Sequence, residues 1–456
     1  MAAPERKIAQ RDTASARLAR FAVDTRRADI PDEAIEKARG CLADFLACTL
    51  EAGDLPWSRQ AVAFVEAMPE GPCTVVGTSL KRSALDAAFA NGSIGHGLVR
   101  EDMHVPSCSH LGVVVWPTLL ALSQWKAVDA EDVLAAAVVG YEVAASVGRE
   151  LFDADLAAKI RPTSTVGAMG GAAAAARLMG LDAERTQAAI GFAANAACGL
   201  NEWPWAGGNE MFFHAGLAAR NALTAAQLAA CGTTISDTAI DGRAGLFAAY
   251  ERLERADAVE PLGRDEYEIL SVYWKPAPAC NYVQTPCQAA LELVQQGVRA
   301  AEVVSIDIDS FPHAVRYPGC DNPGPFSGPL DAKMSLQFSV AAVLVSGEIA
   351  EANYRTQDHP EVMRLAGVTK LNIEPSFQVA YPAKQGARVR LTLTDGTTRL
   401  ATLPDVVAAD RAMVRARLDA AASATLGADG AARLSAAVDA VGAGGGLSEV
   451  AEATQP

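Results

Sequence analysis

Apolar residues recur at helical spacing from residue 14 to about residue 255, and strand-like alternation of apolar and polar positions is nearly absent there. The segment Ile30-Pro31-Asp32-Glu33 is typical of a helix start, with proline in the first turn and acidic residues at the positive end of the helix dipole. Residues 132–152 and 165–181 predict two helices rich in small residues, around which neighbouring backbones can pack closely. We therefore expect these two helices to lie in the interior.

The pattern changes near residue 265. Residues 303–309 alternate like a half-buried strand, and residues 387–394 lead into Asp395-Gly396, a strong hairpin signal with residues 397–403 as the returning strand. Helical spacing returns at residues 283–298 and 329–345. After about residue 405 the chain predicts an alanine-rich helix followed by a glycine tail at residues 442–446, which we expect to be mobile.

These patterns predict a mainly α fold with two domains. A large helical domain would comprise residues 1–265 and 406–456, and a smaller α+β domain would comprise residues 266–405.

The net charge of −15, from 39 Lys and Arg against 54 Asp and Glu, repels phosphate backbones and anionic membranes. We therefore expect no nucleic-acid partner.

Membrane insertion and secretion are also disfavoured. The first residues are charged and lack the apolar core of a secretory signal. The longest stretch without charged residues, residues 103–125, contains two histidines and two prolines and would make a poor membrane span. We expect a cytoplasmic protein that does not enter a membrane.

The nine cysteines are scattered along the chain and form no CxxC pair, which argues against a disulfide framework and against a cysteine zinc site. We expect most of them to be reduced and buried. No glycine-rich loop has the spacing or strand context of a dinucleotide or phosphate cradle.

Three of the six histidines, His96, His104 and His110, fall in one loop-like stretch that is dense in charged residues. Such a stretch is the best candidate for proton transfer near neutral pH. Alternatively, one or two of these histidines bond only to backbone at a helix end. A metal site is disfavoured because gaps of eight and six residues match no usual ligand spacing.

Two other segments carry candidate chemistry. Residues 273–282 hold Lys275 and Cys280 on a stiff loop of prolines and aromatics, where the lysine could act as a base and the cysteine could exchange a proton with carbon. Residues 159–165 bring Arg161 and hydroxyls to the start of the second interior helix, which favours a bound carboxylate. The alternatives are a solvated lysine, a buried cysteine that only fills space, and a simple Ser/Thr helix cap.

Several stretches together resemble the MmgE/PrpD family, which includes 2-methylcitrate dehydratase, cis-aconitate decarboxylase and iminodisuccinate epimerase. The matching stretches lie in order over about residues 10–405: residues 88–96, the loop ending at residues 110–112, and residues 140–145, 162–181, 213–220, 275–280 and 331–341. The resemblance implies a large all-helical domain, a smaller α/β lid domain, a homodimer, and an active site in the cleft between the domains. It implies no cofactor for the chemistry.

Transferred position by position, the family pattern is kept only in part. The family's loop histidine corresponds to His110, and the lysine of its Lys-Pro segment corresponds to Lys275. Elsewhere, family residues that are commonly acidic, basic or hydroxyl-bearing are replaced. The replacing residues are Val99, Met103, Arg161, Met211, Cys280 and Phe338.

The lost charges and donors predict a more apolar pocket than one that holds a citrate-like polyanion. Residues 202–214 add the aromatic side chains of Trp203, Trp205, Phe212 and Phe213. From these we expect a substrate that is bulkier and less charged than a tricarboxylate.

The leading hypothesis is a cofactor-independent lyase or isomerase that removes a proton next to a carboxylate or carbonyl of a small molecule. Lys275 or His110 would be the base, Arg161 the anchor for the carboxylate, and Cys280 the second proton donor, with His104 as a further catalytic candidate. The other candidate substrate-binding residues are His96, Trp203, Trp205, Met211, Tyr282 and Phe338.

Two rival hypotheses remain. One is a dehydratase or decarboxylase that has rebuilt its site from His96, His104, Asp102 and Tyr282. The other is a catalytically silent relative that kept the fold as a binding or scaffold protein.

Overall fold

A computed structural model of the chain describes residues 12–197, 199–263 and 266–456. The described chain is mainly helical. Its helices are α1 (Ala14–Asp24), α2 (Asp32–Glu51), α3 (Pro56–Glu66), α4 (Ala84–Gly95), α5 (Gly112–Trp125), α6 (Val133–Leu151), α7 (Ala154–Ala157), α8 (Pro162–Leu178), α9 (Ala183–Asn195), α10 (Trp203–Ala206), α11 (Met211–Ala230), α12 (Leu246–Ala249), α13 (Gln284–Gln295), α14 (Pro312–Arg316), α15 (Pro329–Met334), α16 (Leu336–Ser346), α17 (Pro360–Gly367), α18 (Pro375–Ala380), α19 (Arg411–Ala440) and α20 (Leu447–Ala453).

The strands are short and few by comparison. They are β1 (Glu70–Thr74), β2 (Lys81–Arg82), β3 (Met103–His104), β4 (Val272–Tyr273), β5 (Val303–Ser310), β6 (Thr369–Ile373), β7 (Ala387–Leu393) and β8 (Thr398–Leu403).

Helix α8 is the central helix of the helical body and packs against α5, α6, α9 and α11. It begins at Pro162, three residues earlier than the sequence predicted, and nearly all of its side chains are buried. A Cβ atom added to Gly170 would lie 2.3 Å from the carbonyl oxygen of Gly140 on α6, so only glycine permits this approach. The prediction that α6 and α8 are interior helices is therefore confirmed.

The second region is built around a four-stranded sheet with the order β6-β5-β7-β8. β5 pairs antiparallel with β7 and parallel with β6, and β7 and β8 form the predicted hairpin, with Gly396 at a φ of 81° in its turn. The sequence did not predict edge strand β6. Its five residues contain only two apolar positions, Leu371 and Ile373, so the alternation is too short to identify a strand, and only one of the five residues is buried.

The glycine tail is ordered, so the prediction that it is mobile is wrong. After a turn with Gly442 and Gly444 at positive φ, the chain forms α20, which packs against α19 and α5. Leu447, Val450 and Ala451 are buried there. Their helical spacing provides an apolar face, and burying that face offsets the entropy cost of ordering the glycines.

Apolar side chains form two clusters. The first joins α1, α2, α5, α6, α8, α9, α11, α19 and α20, and it also contains Tyr267, Ile269 and Trp274. The second joins the four-stranded sheet with α13 and α16, and it also takes in residues of α3 and α4. The two domain boundaries, between residues 265 and 266 and between residues 405 and 406, stay predictions.

A two-residue ladder brings distant parts of the chain together. β3 pairs antiparallel with β4, with Met103 opposite Tyr273 and His104 opposite Val272. The ladder sets the histidine loop between α4 and α5 beside the segment that carries Lys275 and Cys280.

In the described part of the chain, no helix has both the length and the apolar character required to cross a bilayer.

Candidate active site

A small buried cavity of about 30 Å³ lies where the histidine loop, the start of α8, the start of α11 and the segment after β4 meet. It contains three of the predicted catalytic or anchoring residues. Its lining residues are Val99, Met103, Cys108, His110, Arg161, Met211, Cys280, Asn281, Tyr282, Tyr317 and Met334.

His110 is held by the backbone around it. Its own backbone N–H donates to Thr163 Oγ1 at 3.1 Å, which ties the histidine loop to the first turn of α8. Its ring Nδ1 lies 3.0 Å from the carbonyl oxygen of Asp102. Because a carbonyl can only accept, we assign the ring proton to Nδ1, which leaves Nε2 as the basic nitrogen. Burial lowers the pKa of His110 well below its usual value, so the ring is neutral near pH 7.

Glu101 connects two histidines behind the cavity wall. Its carboxylate bonds to Nδ1 of His96 and lies 3.2 Å from Nδ1 of His110. Burial alone raises the pKa of Glu101, but the two imidazoles and the nearby Lys275 outweigh burial and lower the pKa below its usual range. Glu101 is therefore an ionised group that orients both rings. Its position in the same loop as three histidines is the signal by which sequence reasoning could have singled it out.

Arg161 joins this network from the start of α8. One of its terminal nitrogens donates to Nε2 of His96 at 2.9 Å, and its backbone N–H donates to the carbonyl of Gly199 at 2.7 Å. Its side-chain Nε is buried and has no partner among the described residues, although the residue lines the cavity. An unpaired donor in a buried site favours an anionic ligand, because burying it without an acceptor is costly.

Lys275 lies behind the cavity wall and is fully buried. Its amine donates to the carbonyl of Val99 and, at 2.6 Å, to the carbonyl of Ala279. Burial lowers the pKa of Lys275 to about 8. Val99 has a φ of 57°, an unfavourable conformation for a β-branched residue, and the lysine bond helps to hold it. Lys275 thus joins the histidine loop to the segment after β4.

Cys280 lines the cavity on the side of the second apolar cluster. Its backbone N–H donates to the carbonyl of Lys333 at 2.9 Å, and its sulfur lies 3.8 Å from that of Cys320. Burial raises the pKa of Cys280, but the bonds from Cys320 and from the backbone of Tyr282 and the charges of Lys275 and Arg161 lower it to about 7. Near neutral pH this thiol can therefore both give and take a proton.

Two tyrosines add hydrogen-bond donors to the cavity. Burial raises the pKa of Tyr317 to about 12 and raises that of Tyr282, so both hydroxyls stay protonated. The hydroxyl of Tyr317 accepts a bond from Asn201 at 3.2 Å, which leaves its own proton to donate. Sequence reasoning named Tyr282 but missed Tyr317, which lies in no segment that the sequence analysis singled out. It also missed Cys108, Asn281 and Met334, which lie in such segments but were not chosen as site residues.

Other predicted residues lie away from the cavity. His104 bonds to Ser107 at 2.7 Å and to Glu268 at 3.0 Å, so both of its ring nitrogens serve the fold. His96 is fully buried and acts one layer behind the wall. Phe338 packs against Phe326 and Tyr354.

The aromatic residues on which the expectation of a bulky substrate rested are not in the wall either. Trp203 is buried and donates to Asn201 at 3.0 Å, and the side chain of Phe212 stacks on Trp57. Trp205 is 70% exposed. Among the predicted substrate-binding residues, Met211, Arg161 and Tyr282 do line the cavity.

Within the described residues, no group of three or more His, Cys, Asp or Glu side chains is arranged to hold a metal ion. The eight described cysteines are free, and six of them are buried. Cys198 lies outside the described residues.

Two protein-family models match the chain. The family model described as the MmgE/PrpD N-terminal domain matches residues 16–257, and the one described as the MmgE/PrpD C-terminal domain matches residues 277–420. The cis-aconitate decarboxylase of Aspergillus terreus is 26% identical over 413 residues, which cover 84% of this chain and 83% of the relative.

Two further relatives carry enzyme names. The 2-methylcitrate dehydratase of Escherichia coli is 26% identical over 397 residues, 80% of this chain and 79% of the relative. The human cis-aconitate decarboxylase is 28% identical over 335 residues, 68% of this chain and 66% of the relative. The two family models together cover most of the chain, and the chain therefore belongs to the MmgE/PrpD family.

Proposed function

We propose that the protein is a proton-transfer lyase or isomerase that acts on a small organic acid without a cofactor. The observation that carries the proposal is that a neutral histidine, an arginine with an unpaired donor and a thiol with a pKa of about 7 line one buried cavity. Such a set provides a base, an anion anchor and a second proton donor.

The proposed reaction begins with a substrate carboxylate bound to Arg161. Nε2 of His110 removes a proton from the adjacent carbon, and the C–H electron pair moves into the carboxylate or carbonyl to form an enolate. Arg161 and the hydroxyls of Tyr282 and Tyr317 stabilise that charge. Cys280 then donates a proton to carbon, which gives epimerisation or double-bond isomerisation, or to a leaving group, which gives elimination.

Lys275 has a different proposed role from His110. Its amine already donates to two carbonyls, and carbonyl acceptors favour the protonated amine. We therefore assign proton abstraction to His110, and to Lys275 the positioning of the loop and a positive charge near Cys280.

The sheet-bearing region is proposed to act as a lid. Binding pockets for small molecules usually have volumes of about 300–1,000 Å³, far above the roughly 30 Å³ found here. Substrate entry then requires the segment with Cys280, Tyr317 and Met334 to move away from His110 and Arg161.

We also propose that the protein is a homodimer. Sedimentation or light scattering of the purified protein tests this proposal.

The wall supports a less charged substrate than a tricarboxylate. Val99, Met103, Met211 and Met334 line the cavity and offer no charge, and Arg161 is the one cationic side chain among the lining residues. A substrate with one carboxylate near the reacting carbon and an apolar remainder fits this wall. A bulky substrate is not supported, because the side chains on which that expectation rested do not line the cavity; they are Trp203, Trp205, Phe212 and Phe213.

Decarboxylation or dehydration at a site rebuilt from other residues is the second candidate function, because the relatives carry those names. The residues suggested for a rebuilt site give it little support. Of these, only Tyr282 lines the cavity, whereas Asp102 accepts a bond from the backbone of Gly112 at 3.0 Å and serves the start of α5.

The test is a screen for C–H exchange in heavy water. The purified protein is incubated with cis-aconitate, 2-methylcitrate and a panel of alkyl-substituted dicarboxylic acids, and NMR follows deuterium uptake while absorbance follows new alkenes. Deuterium uptake without net turnover indicates an isomerase, and alkene formation indicates a lyase.

Variants assign the roles. His110→Ala and Cys280→Ala are each expected to lower the rate at least about 100-fold. The exposed residues His359 and Cys231 provide matched controls, as His359→Ala and Cys231→Ala, which should keep the rate. Rapid turnover of cis-aconitate or 2-methylcitrate would overturn the proposed substrate preference, and unchanged rates in both site variants would overturn the mechanism.

A further inference from the structure

A second, much larger cavity lies on the other side of the segment that follows β4. It has a volume of about 930 Å³ and shares no lining residue with the active-site cavity. Its lining includes the end of α2, Arg100, Pro276, Pro278, residues from the range 349–355 and one face of α19. The same short segment therefore contributes to both cavities, with Pro276 and Pro278 lining the larger one and Cys280 lining the smaller one.

The lining of this larger cavity has an excess of positive charge. Four arginines line it, namely Arg59, Arg100, Arg355 and Arg417. The acidic lining residues are already matched. Arg100 bonds to Glu51 at 2.6 Å, Arg355 bonds to Asp54 at 2.7 Å, and Glu351 bonds to the buried Lys333.

Arg100 carries a buried donor that is not satisfied. The residue is only 5% exposed, and its Nε has no hydrogen-bond partner among the described residues. A buried guanidinium donor without an acceptor costs free energy, and an oxyanion in the cavity would supply the acceptor. Arginine forks match carboxylate and phosphate oxygens well.

Two arginines connect this cavity to the active site. The guanidinium of Arg417 donates to the carbonyl of Lys275 at 2.9 Å and to the carbonyl of Pro276 at 2.8 Å. Arg100 directly precedes Glu101, the carboxylate that orients the two histidines. A ligand that changes the position of either guanidinium therefore acts on the backbone of the candidate catalytic residues.

We propose that this cavity is a regulatory binding site for a small oxyanion, held by Arg100 and Arg417, whose occupancy alters the segment that carries Lys275 and Cys280. The anion competes with the carbonyls of Lys275 and Pro276 for the guanidinium of Arg417. By linkage, if the bound anion changes the affinity of the active site for its substrate, the bound substrate changes the affinity for the anion by the same factor.

The binding test needs no knowledge of the substrate. Isothermal titration calorimetry is carried out on the full chain with inorganic phosphate and with citrate, at constant ionic strength maintained with chloride. Saturable binding of either probe supports the site, and the probe that binds more tightly distinguishes a phosphate source from a carboxylate source. Absence of saturable binding with both probes overturns the proposal.

Variants locate the bound anion. Ala424 is an exposed residue of α19 that lines the cavity, so Ala424→Glu places a carboxylate there without removing a contact. It should weaken binding at least tenfold, whereas Ser423→Glu, which adds the same charge at the neighbouring exposed position outside the lining, should not. Arg100→Gln should weaken binding likewise, and Arg161→Ala should leave it unchanged. Loss of binding in Arg161→Ala but not in Ala424→Glu would place the anion in the active-site cavity and overturn the proposal.

Hydrogen exchange tests the regulatory part separately. The anion is expected to change deuterium uptake in the peptide that covers residues 275–283 in the unmodified protein and in Ser423→Glu, but not in Ala424→Glu. Binding without any change in that peptide would overturn the regulatory role. Neither readout depends on the proposed reaction, so failure here is distinguishable from failure of the proposed function.

Discussion

The sulfur atoms of Cys280 and Cys320 lie 3.8 Å apart, and both thiols are buried. Burial and the neighbouring sulfur raise the pKa of Cys320 well above its usual value, so this thiol keeps its proton. It can therefore donate to the sulfur of Cys280, which lines the cavity and loses its proton more easily. The pair makes Cys280 reactive inside an apolar wall.

Removing the donor at position 320 should raise the pKa of Cys280. Cys320→Ala is expected to shift it upward from about 7 by roughly one unit, because the thiolate loses a hydrogen bond while burial still disfavours it. Cys320→Ser keeps a donor and should shift it less. The measurement is the pH dependence of iodoacetamide alkylation, followed by mass spectrometry of the peptide that contains Cys280. Equal values in the unmodified protein and in Cys320→Ala would show that the bond has no effect.

The rate of the proposed reaction should have a bell-shaped pH dependence. His110 acts as a base only when neutral, and burial lowers its pKa well below 6.5, so the acid limb should fall below pH 6.5. Cys280 donates a proton only when protonated, so the rate should fall as pH rises past about 7. In Cys280→Ser the basic limb should disappear from this range while the acid limb stays. A basic limb that persists unchanged in that variant would exclude Cys280 as the proton donor.

Asp44 should lower the stability of the fold at neutral and basic pH. Its two side-chain oxygens are buried and have no partner among the described residues, and burial raises its pKa from 3.8 to about 7. The folded chain thus holds a proton that the unfolded chain has released, so stability decreases as pH rises from about 4 to about 7. Such a shift corresponds to at most about 4 kcal/mol.

The Asp44→Asn variant tests this relation. It should raise the melting temperature at pH 8 by several degrees and change it much less at pH 3, where the carboxyl is protonated in the folded state and mostly protonated in the unfolded state. Asp24→Asn, at an exposed position of α1, is the matched control. Thermal unfolding followed by circular dichroism measures both, and equal stabilisation at the two pH values would contradict the role of the Asp44 carboxyl.

The crossing of α6 and α8 should not tolerate a methyl group. Gly170→Ala places a Cβ atom 2.3 Å from the Gly140 carbonyl oxygen, so the helices must separate, at a cost of about 1–3 kcal/mol. Gly367→Ala is the control, because a Cβ atom at Gly367 meets no atom within 4 Å. Urea unfolding of the two variants measures the difference. Similar stabilities would mean that the two helices are not tightly packed.

Local sequence signals were sufficient to predict much of the fold. The alanine- and glycine-rich runs predicted α6 and α8 as interior helices, and Asp395-Gly396 predicted the hairpin of β7 and β8. These features depend on spacing and turn chemistry within a few residues. The edge strand β6 and the packing of α20 against α5 were not predicted, because both depend on partners far away in the chain.

The sequence alone determined the kinds of side chain available for chemistry, and its motifs indicated the family. It could name His110, Arg161 and Cys280 because histidine, arginine and cysteine have characteristic reactivity. Only the tertiary structure decided which side chains share a cavity, because the pairing of β3 with β4 and the start of α8 set the direction of each side chain. In the folded chain His104 and Trp205 lie away from the cavity, whereas Cys108 and Tyr317 line its wall. The physical reason is that direction and burial depend on contacts between distant segments, whereas residue type and spacing are local properties of the chain.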